Sequence, residues 1–405
     1  MLENIKKDSQ AIQEEIVTWR RALHQIPETG VNTPMSEAYI CGELDKLHIP
    51  YKKGVGEHGV VALIEGKKAG KVFALRADFD GLPIKEETGL PFASTNGCMH
   101  ACGHDAHAAM LLGAAKLLKK HENDLEGSVK LIFQPGEEGC PDGPGGAKRM
   151  LDDGALENPK PDAMMGLHIG SIWNDDSMNV GDLLVHYGGM MACMDRFSIT
   201  IKGKGAHGAQ PNNSIDPISI AARVITGIQT IISRELDPLD PGIISICQVH
   251  AGSAFNIIPN ECFIQGTVRA LDGKVRKFLA DRIGEIAKST AEGMRATVDF
   301  DYNWDGPNPV VNNSQVTQEF RDVAEEILGK DKVKELPRPS MGGEDVAFFL
   351  EKVPGTFAFL NSANPAKKTN VAHHNPKFDL DEDVLWIGSA AMAGMALTWL
   401  KNHKG

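Results

Sequence analysis

Apolar positions recur along the first half of the chain in two textures. Residues 72–76, 128–134 and 163–167 are short apolar-rich runs, the pattern of strands within a sheet. Between the first two, residues 105–120 set Met110, Leu111, Ala114, Leu117 and Leu118 on one helical face and end in Lys119 and Lys120, cations suited to the negative end of a helix. Residues 1–21 carry a similar helical pattern, with Ile12, Ile16, Trp19 and Leu23 on one face. Strands alternating with helices predict an α/β fold with a mixed or parallel sheet covered by helices.

The texture changes past residue 187. Residues 196–202 alternate like a strand, 217–233 are helical, 243–249 and 262–270 are strands, 273–293 are helical and 297–303 form a last strand. That order, βαββαβ, predicts a ferredoxin-like α+β unit. It is expected as an inserted domain at 187–304, between the breaker-rich flanks His186-Tyr187-Gly188-Gly189 and Asp305-Gly306-Pro307-Asn308-Pro309. A first domain would then be built from residues 1–186 and 305–405, resumed by a helix at 314–328, a strand-like segment at 356–361 and a last helix near 383–400.

A length of 405 residues exceeds one ordinary domain of roughly 100 to 200 residues. With 42% hydrophobic and 24% charged residues the composition is that of a folded globular chain. Lys+Arg 42 against Asp+Glu 54 gives a net charge of -12, which speaks against nucleic acid or anionic lipid as a partner. The N-terminal segment lacks the apolar core of a signal peptide, so export is not expected. The longest apolar stretch is read around 110–118, broken by Gly113 and Lys116 and short of the roughly 18 residues that span a membrane. Seven cysteines, at 41, 98, 102, 140, 193, 247 and 262, form no disulfide framework and point to a reducing cytoplasm.

Candidate chemistry gathers where the apolar runs stop. The first run leads into Asp78 and Asp80, the second through Pro135-Gly136 into Glu137 and Glu138, and the third into His168. Ligands of open α/β sheets sit beyond the carboxyl ends of the strands, so these side chains are expected at one crevice. Met99-His100-Ala101-Cys102-Gly103-His104-Asp105-Ala106-His107 packs one thiol and three imidazoles into a turn before a helix. The helix N-terminus is expected to lower the thiol pKa and make thiolate available at pH 7, while His100 and His107 are read as structural. Neighbouring carboxylates on an extended segment point opposite ways, so of Glu137 and Glu138 one could bind metal while the other handles a proton. Taken singly, Asp78 and Asp80 read as an Asp-rich turn, His168 as a satisfied core residue, and His373 and His374 as an exposed polar loop. Together, thiolate, imidazole and carboxylate suit zinc, manganese, cobalt or nickel rather than magnesium or calcium. The literal GxGxxG at Gly203 to Gly208 is not read as a dinucleotide site, because the next helix waits until Asp216-Pro217.

These residues also carry a resemblance. Arg20-Arg21-x-Leu23-His24-x-x-Pro27-Glu28, Arg76-Ala77-Asp78-Phe79-Asp80-Gly81-Leu82-Pro83, the Met99 to His107 segment, Pro135-Gly136-Glu137-Glu138-Gly139, Gly203 to Gly208, Asn256-Ile257-Ile258-Pro259, Gly343-Glu344-Asp345 and His374-Asn375-Pro376 occur in order. The chain resembles, over nearly its whole length, the M20 metallopeptidases, in the amidohydrolase branch with hippurate hydrolases, N-acyl-amino-acid amidohydrolases and auxin-conjugate hydrolases. The resemblance implies a mixed-sheet, two-metal aminopeptidase-like catalytic domain with an inserted lid and dimerisation domain, and hence a homodimer or higher homo-oligomer. It implies Cys102, His104, Glu138, His168 and His374 as ligands of two divalent transition-metal ions, manganese, zinc, nickel or cobalt. Glu137 matches the general base, Asp80 the carboxylate supporting the metal shell and His207 a lid histidine that stabilises the oxyanion. Asn256 and Arg269 resemble substrate-holding groups. Gly81 and Gly136 stand where Ala is usual and Asn375 where Ser is common. Asp78 stands where most of the wider family has a ligand His and is left outside the ligand set.

The expected activity is metal-dependent hydrolysis of the amide of an N-acyl amino acid, releasing a carboxylate and a free amino acid. N-acetyldiaminopimelate deacetylation or small-peptide hydrolysis at the same site is the nearest alternative. A thiol amidase using Cys102 and His104 would leave both acidic strand ends idle, and a non-catalytic metal-binding protein would have no need of a base beside its ligands.

Overall fold

The computed structural model describes residues 1–140, 143–171 and 178–404. They form two compact units, Met1–Gly188 with Val311–Arg338 and Phe348–Gly405, and Gly189–Val310 with Pro339–Ala347.

The first unit is organised by an eight-stranded sheet in the order Tyr51–Val55, Gly59–Glu65, Glu126–Gln134, Lys68–Asp78, Ala163–Gly170, Gly355–Asn361, Leu183–Val185 and Val333–Glu335. It is mixed. Lys68–Asp78 runs parallel to both of its neighbours, and Gly355–Asn361 runs parallel to Ala163–Gly170, whereas the first two strands are antiparallel. Register places Asp78 beside Gln134 and His168 beside Phe359. Four adjacent parallel strands therefore end at one edge, which is the arrangement the polar ends of the apolar runs predict. Ala163–Gly170 is buried along its whole length, as a strand covered on both faces must be.

Helix His104–Lys120 returns the chain from that edge and packs against helix Leu385–Asn402, with Ser389 Oγ donating to the Met110 carbonyl at 2.9 Å. The longest apolar stretch lies in this last helix and not at 110–118. Residues Glu382–Asn402 are long and apolar enough to cross a membrane but 83% buried within the fold. They serve as a core helix. At the N-terminus the apolar face continues across two helices, Leu2–Ala11 and Gln13–His24, which bury Ile5, Ile16, Trp19 and Leu23.

A lysine is buried in the sheet. Lys130, on Glu126–Gln134, is 1% exposed, and its Nζ donates to the carbonyls of Ala155 at 3.0 Å and Glu157 at 2.7 Å. Burial pushes its pKa down to about 8, with Glu157 pulling the other way.

The second unit is a four-stranded antiparallel sheet in the order Gly242–Ala251, Glu261–Ala270, Asp195–Lys202 and Thr297–Asn303, packed by helices Pro217–Thr230 and Gly273–Gly293. Phe197, Ile199, Ile201, Ile264, Val268, Leu279 and Ile283 form its core. Asp216 and Asp272 cap the two helices through their side-chain oxygens. Connectivity and strand order are those of a ferredoxin-like unit.

Candidate metal centre

Two glycines shape the loops at the strand ends. Gly103 has φ +88°, and a Cβ there would lie 3.2 Å from Ile169 Cγ2. Only glycine takes that left-handed turn without strain. The turn starts the helix at His104 and leaves Cys102 outside it. Gly136, with φ +69°, redirects the chain after Glu126–Gln134, where a Cβ would come 2.7 Å from Val31 Cγ1. Glu137 and Glu138 consequently lie in a turn and not on the extended segment expected from sequence. Asp80 holds that turn, accepting the N–H of Glu137 at 3.0 Å and of Glu138 at 3.1 Å.

Side chains of the first unit converge here. Ligand atoms of Cys102, His104 and His168 lie within 4.8 Å of one another, as do those of Cys102, Glu138 and His374, and those of His104, Glu137 and Glu138. The first two groups share Cys102. Its Sγ is 3.6 Å from His168 Nε2, and His374 Nε2 is 3.0 Å from Glu138 Oε1. His168 Nδ1 donates to the Ile169 carbonyl at 2.8 Å, which leaves Nε2 with its lone pair toward the thiol. His374 takes the left-handed backbone conformation, φ 60°, and its N–H donates to the Ala101 carbonyl at 2.8 Å. A non-glycine residue there is strained, as often occurs at functional sites.

Two observations show that this set fits a divalent metal pair. Both ring nitrogens of His104 are buried without a hydrogen bond, although an unpaired buried donor or acceptor is costly. Four carboxylates, Asp78, Asp80, Glu137 and Glu138, crowd the same corner with Arg76 as the cationic partner of Asp78 at 2.6 Å. Donor chemistry agrees, since thiolate, imidazole and carboxylate together suit borderline transition metals.

The electrostatics correct one expectation. The Cys102 thiol is pushed up to about 12, by burial first and then by Glu138, with His104 acting in the opposite direction. Gly103 intervenes before the helix begins, so the helix N-terminus does not free a thiolate; a bound cation would have to. That also counts against Cys102 as a free nucleophile. Burial holds His168 well below the ordinary histidine range, reinforced by His107 and His373, so its imidazole is neutral, the form a metal would take. His104 is driven the other way: burial opposes its charge, but Asp78, Asp80 and Cys102 raise its pKa.

Around these donors stands a supporting layer. His107 is fully engaged, Nδ1 at 2.5 Å from Asp78 Oδ1 and Nε2 accepting the Ile169 N–H at 2.8 Å, in keeping with a structural role. Asp78 is thus held between Arg76 and His107. Burial opposes its charge, yet Arg76, His104 and His107 keep the carboxyl well below the usual range. His373 is half-buried, not exposed; its Nε2 accepts the Ser171 N–H at 3.0 Å and its Nδ1 lies 3.3 Å from Cys102 Sγ. Arg76 stands in a motif of the sequence, but its pairing with Asp78 is an addition of the structure, although the i, i+2 spacing on a strand puts both on one face.

His207, Asn256 and Arg269 belong to the second unit. His207 and Asn256 are exposed neighbours on a two-stranded ribbon, where His207 pairs with Ile257 and the Gly208 N–H donates to the Asn256 carbonyl at 2.8 Å. His207 Nδ1 accepts the Ala209 N–H at 3.0 Å, so Nε2 carries the proton. Arg269 is half-buried, with Nη1 donating to Thr267 Oγ1 at 2.5 Å and to the Val268 carbonyl at 3.1 Å.

A mixed sheet whose parallel strand ends and adjoining turns bring a cysteine, histidines and paired glutamates together defines a metal-dependent hydrolase. Residues 74–398 match peptidase family M20/M25/M40. The chain is 40% identical over 399 residues to thermostable carboxypeptidase 1 of Saccharolobus solfataricus, covering 98% of each chain. It is 39% identical over 380 residues to the N-acetyl-L-cysteine deacetylase of Bacillus subtilis, covering 92% of this chain and 85% of that one. A solved structure from Bacillus subtilis, the YXEP protein, a dinuclear metal-binding peptidase of the M20 family, superposes with a TM-score of 0.82 at 33% identity, covering 96% of this chain and 99% of the other. The protein belongs to peptidase family M20/M25/M40 and is a metal-dependent amidohydrolase.

Proposed function

We propose that the protein hydrolyses the amide bond of N-acyl amino acids, releasing a carboxylate and a free amino acid. The observation that carries this reading is the arrangement around Cys102: two donor groups share its sulfur, and Glu137 belongs to neither, with its Oε2 3.9 Å from His104 Nε2. A carboxylate beside the donors that share the sulfur, and not among them, is placed as a general base requires. Cys102, His104, Glu138, His168 and His374 would hold two divalent ions, manganese, zinc, nickel or cobalt. Bound there, such ions polarise a carbonyl and bring the pKa of water toward about 7.

Glu137 takes the proton of the attacking water and returns it to the leaving amine. Asp80 supports both the turn that aims Glu137 and the Nδ1 side of His104, 3.4 Å away. His207, with its proton on Nε2, supplies an oxyanion donor, while Asn256 and Arg269 hold the amino-acid half; these three assignments rest on their match to the family motif. A guanidinium suits the carboxylate by a bidentate contact. The names of the deacetylase and carboxypeptidase relatives support an acyl–nitrogen bond beside an amino-acid carboxylate as the target. Homodimerisation through the inserted unit is part of the same reading, supported by the open edge of Gly242–Ala251 with Ile243 and Val249 exposed. Cytoplasmic residence is part of the same reading, supported by an odd number of cysteines scattered along the sequence without a disulfide spacing pattern.

The test is a panel of N-acetyl and N-benzoyl amino acids, N-acetyldiaminopimelate and dipeptides, assayed with metal-loaded and chelator-stripped enzyme. Turnover of the N-acyl amino acids, abolished by chelation and restored by metal, is expected. Full activity of stripped enzyme would overturn the metal mechanism, and turnover of dipeptides alone would move the substrate to small peptides.

A further inference from the structure

The motif around Arg20 has no role in the chemistry above, yet it is built into the interior. Arg20, on Gln13–His24, is 1% exposed. Its Nε donates to Asp105 Oδ2 at 2.8 Å, its Nη2 to Asp379 Oδ1 at 3.1 Å and its Nη1 to Glu382 Oε1 at 3.0 Å. His24, one turn further, places Nδ1 2.7 Å from the same Asp105 oxygen and Nε2 3.2 Å from Glu86 Oε1. Arg21 also reaches Glu382, and both guanidinium groups stand over the Phe92 ring at about 5 Å.

What these contacts join matters more than their number. Asp105 follows His104 directly at the start of its helix, and Asp379 and Glu382 lie on the segment that leads away from His374. Three carboxylates from two donor-bearing segments thus meet on one planar fork. An apolar side chain could fill this volume, and replacing a buried ion pair by apolar groups is often neutral or stabilising. A buried guanidinium is a poor choice for stability alone but a good one for fixing directions, since its N–H groups point along set lines and cannot be copied by an ammonium.

We propose that Arg20 is a positioning residue that sets the spacing between His104 and His374, and through it the geometry of the metal donors. The inference rests on the reading of those two histidines as ligands. Groups behind metal ligands typically change affinity by about 10- to 100-fold when altered. Arg20→Lys, which keeps the charge and loses the fork, should therefore weaken Zn²⁺ binding by about that factor. Asp379→Ala, which removes the partly exposed spoke and leaves the buried Arg20–Asp105 pair intact, should weaken it as well and serves if Arg20→Lys does not fold. Zn²⁺ alone is titrated into stripped full-length protein against a chromophoric chelator, with far-UV circular dichroism and the melting temperature of the stripped form recorded beside it. Weakened binding with an unchanged stripped-state melting temperature is the expected result for Asp379→Ala. Wild-type affinity in a folded Asp379→Ala or Arg20→Lys variant would overturn the inference. Failure of the ligand reading would show instead in the wild type, as no tight Zn²⁺ binding at all.

Discussion

Glu137 and Glu138 are adjacent, chemically identical and expected to behave differently. Glu138→Gln should lower metal occupancy together with activity. Glu137→Gln should keep both metals and still lose about 10²- to 10⁴-fold in kcat. Metal analysis of the two purified variants separates the outcomes, and loss of metal from Glu137→Gln alone would exchange the roles. That these residues meet at one site was legible because each ends an apolar run, where a polar side chain has little business unless it is used. Their placement comes from a turn held by Asp80 and not from the strand alternation expected from sequence. His107 acts on Asp78, and Arg20 on Asp105, through contacts made only once distant segments meet, whereas Arg76 reaches Asp78 from two residues away on the same strand.

Elements transmit the same constraints over longer distances. Gly103→Ala forces a Cβ onto a left-handed residue and against Ile169. A stability loss of about 1 kcal/mol or more is expected, and metal affinity should fall with it because Cys102 and His104 flank the turn; urea denaturation of stripped protein and metal titration read the two effects separately. Strand Glu126–Gln134 carries a pH-dependent term of its own. Lys130 titrates near 8 in the fold against about 10.4 in an unfolded chain. Between those values the unfolded state binds more protons, so this site makes stability rise with pH across that window. Its neutral amine still has two N–H groups for the two carbonyls it faces. The wild-type urea midpoint should therefore gain on that of Lys130→Met between pH 7.5 and 10, and a constant difference would refute the shift. Most helices and strands were legible from periodicity to within a few residues. The last helix was underrated as an apolar stretch, because Gly388, Ser389 and Gly394 interrupt its large side chains without exposing its surface.

At the scale of the molecule, the five proposed metal ligands belong to the first compact unit, which has its own core, as does the second. Metal stabilises whatever binds it in the native state alone, by about 2.7 kcal/mol at a free concentration of 100 Kd. Calorimetry of stripped and reloaded protein should accordingly show the melting of the first unit moving upward, with any separable transition of the second unit left in place. A uniform shift of every transition would mean that the two unfold as one. The βαββαβ order of elements was legible in the sequence, while the place of Pro339–Ala347 beside them depends on a bridge between Ser340 and Met191 that no local pattern announces.

The burial of Leu385–Asn402 has a consequence for how the protein is made. On the ribosome, residues 189–310 emerge before the strand Gly355–Asn361, His374 and the last helix have been translated. Domains usually fold in the order of synthesis, but here the first unit waits on its final segments while most of the second is already exposed. A nascent chain therefore passes through a stage in which its later-starting unit can be structured and its earlier one still lacks a central strand, its covering helix and one proposed metal donor. The proposed donor set is complete only once His374 has been translated.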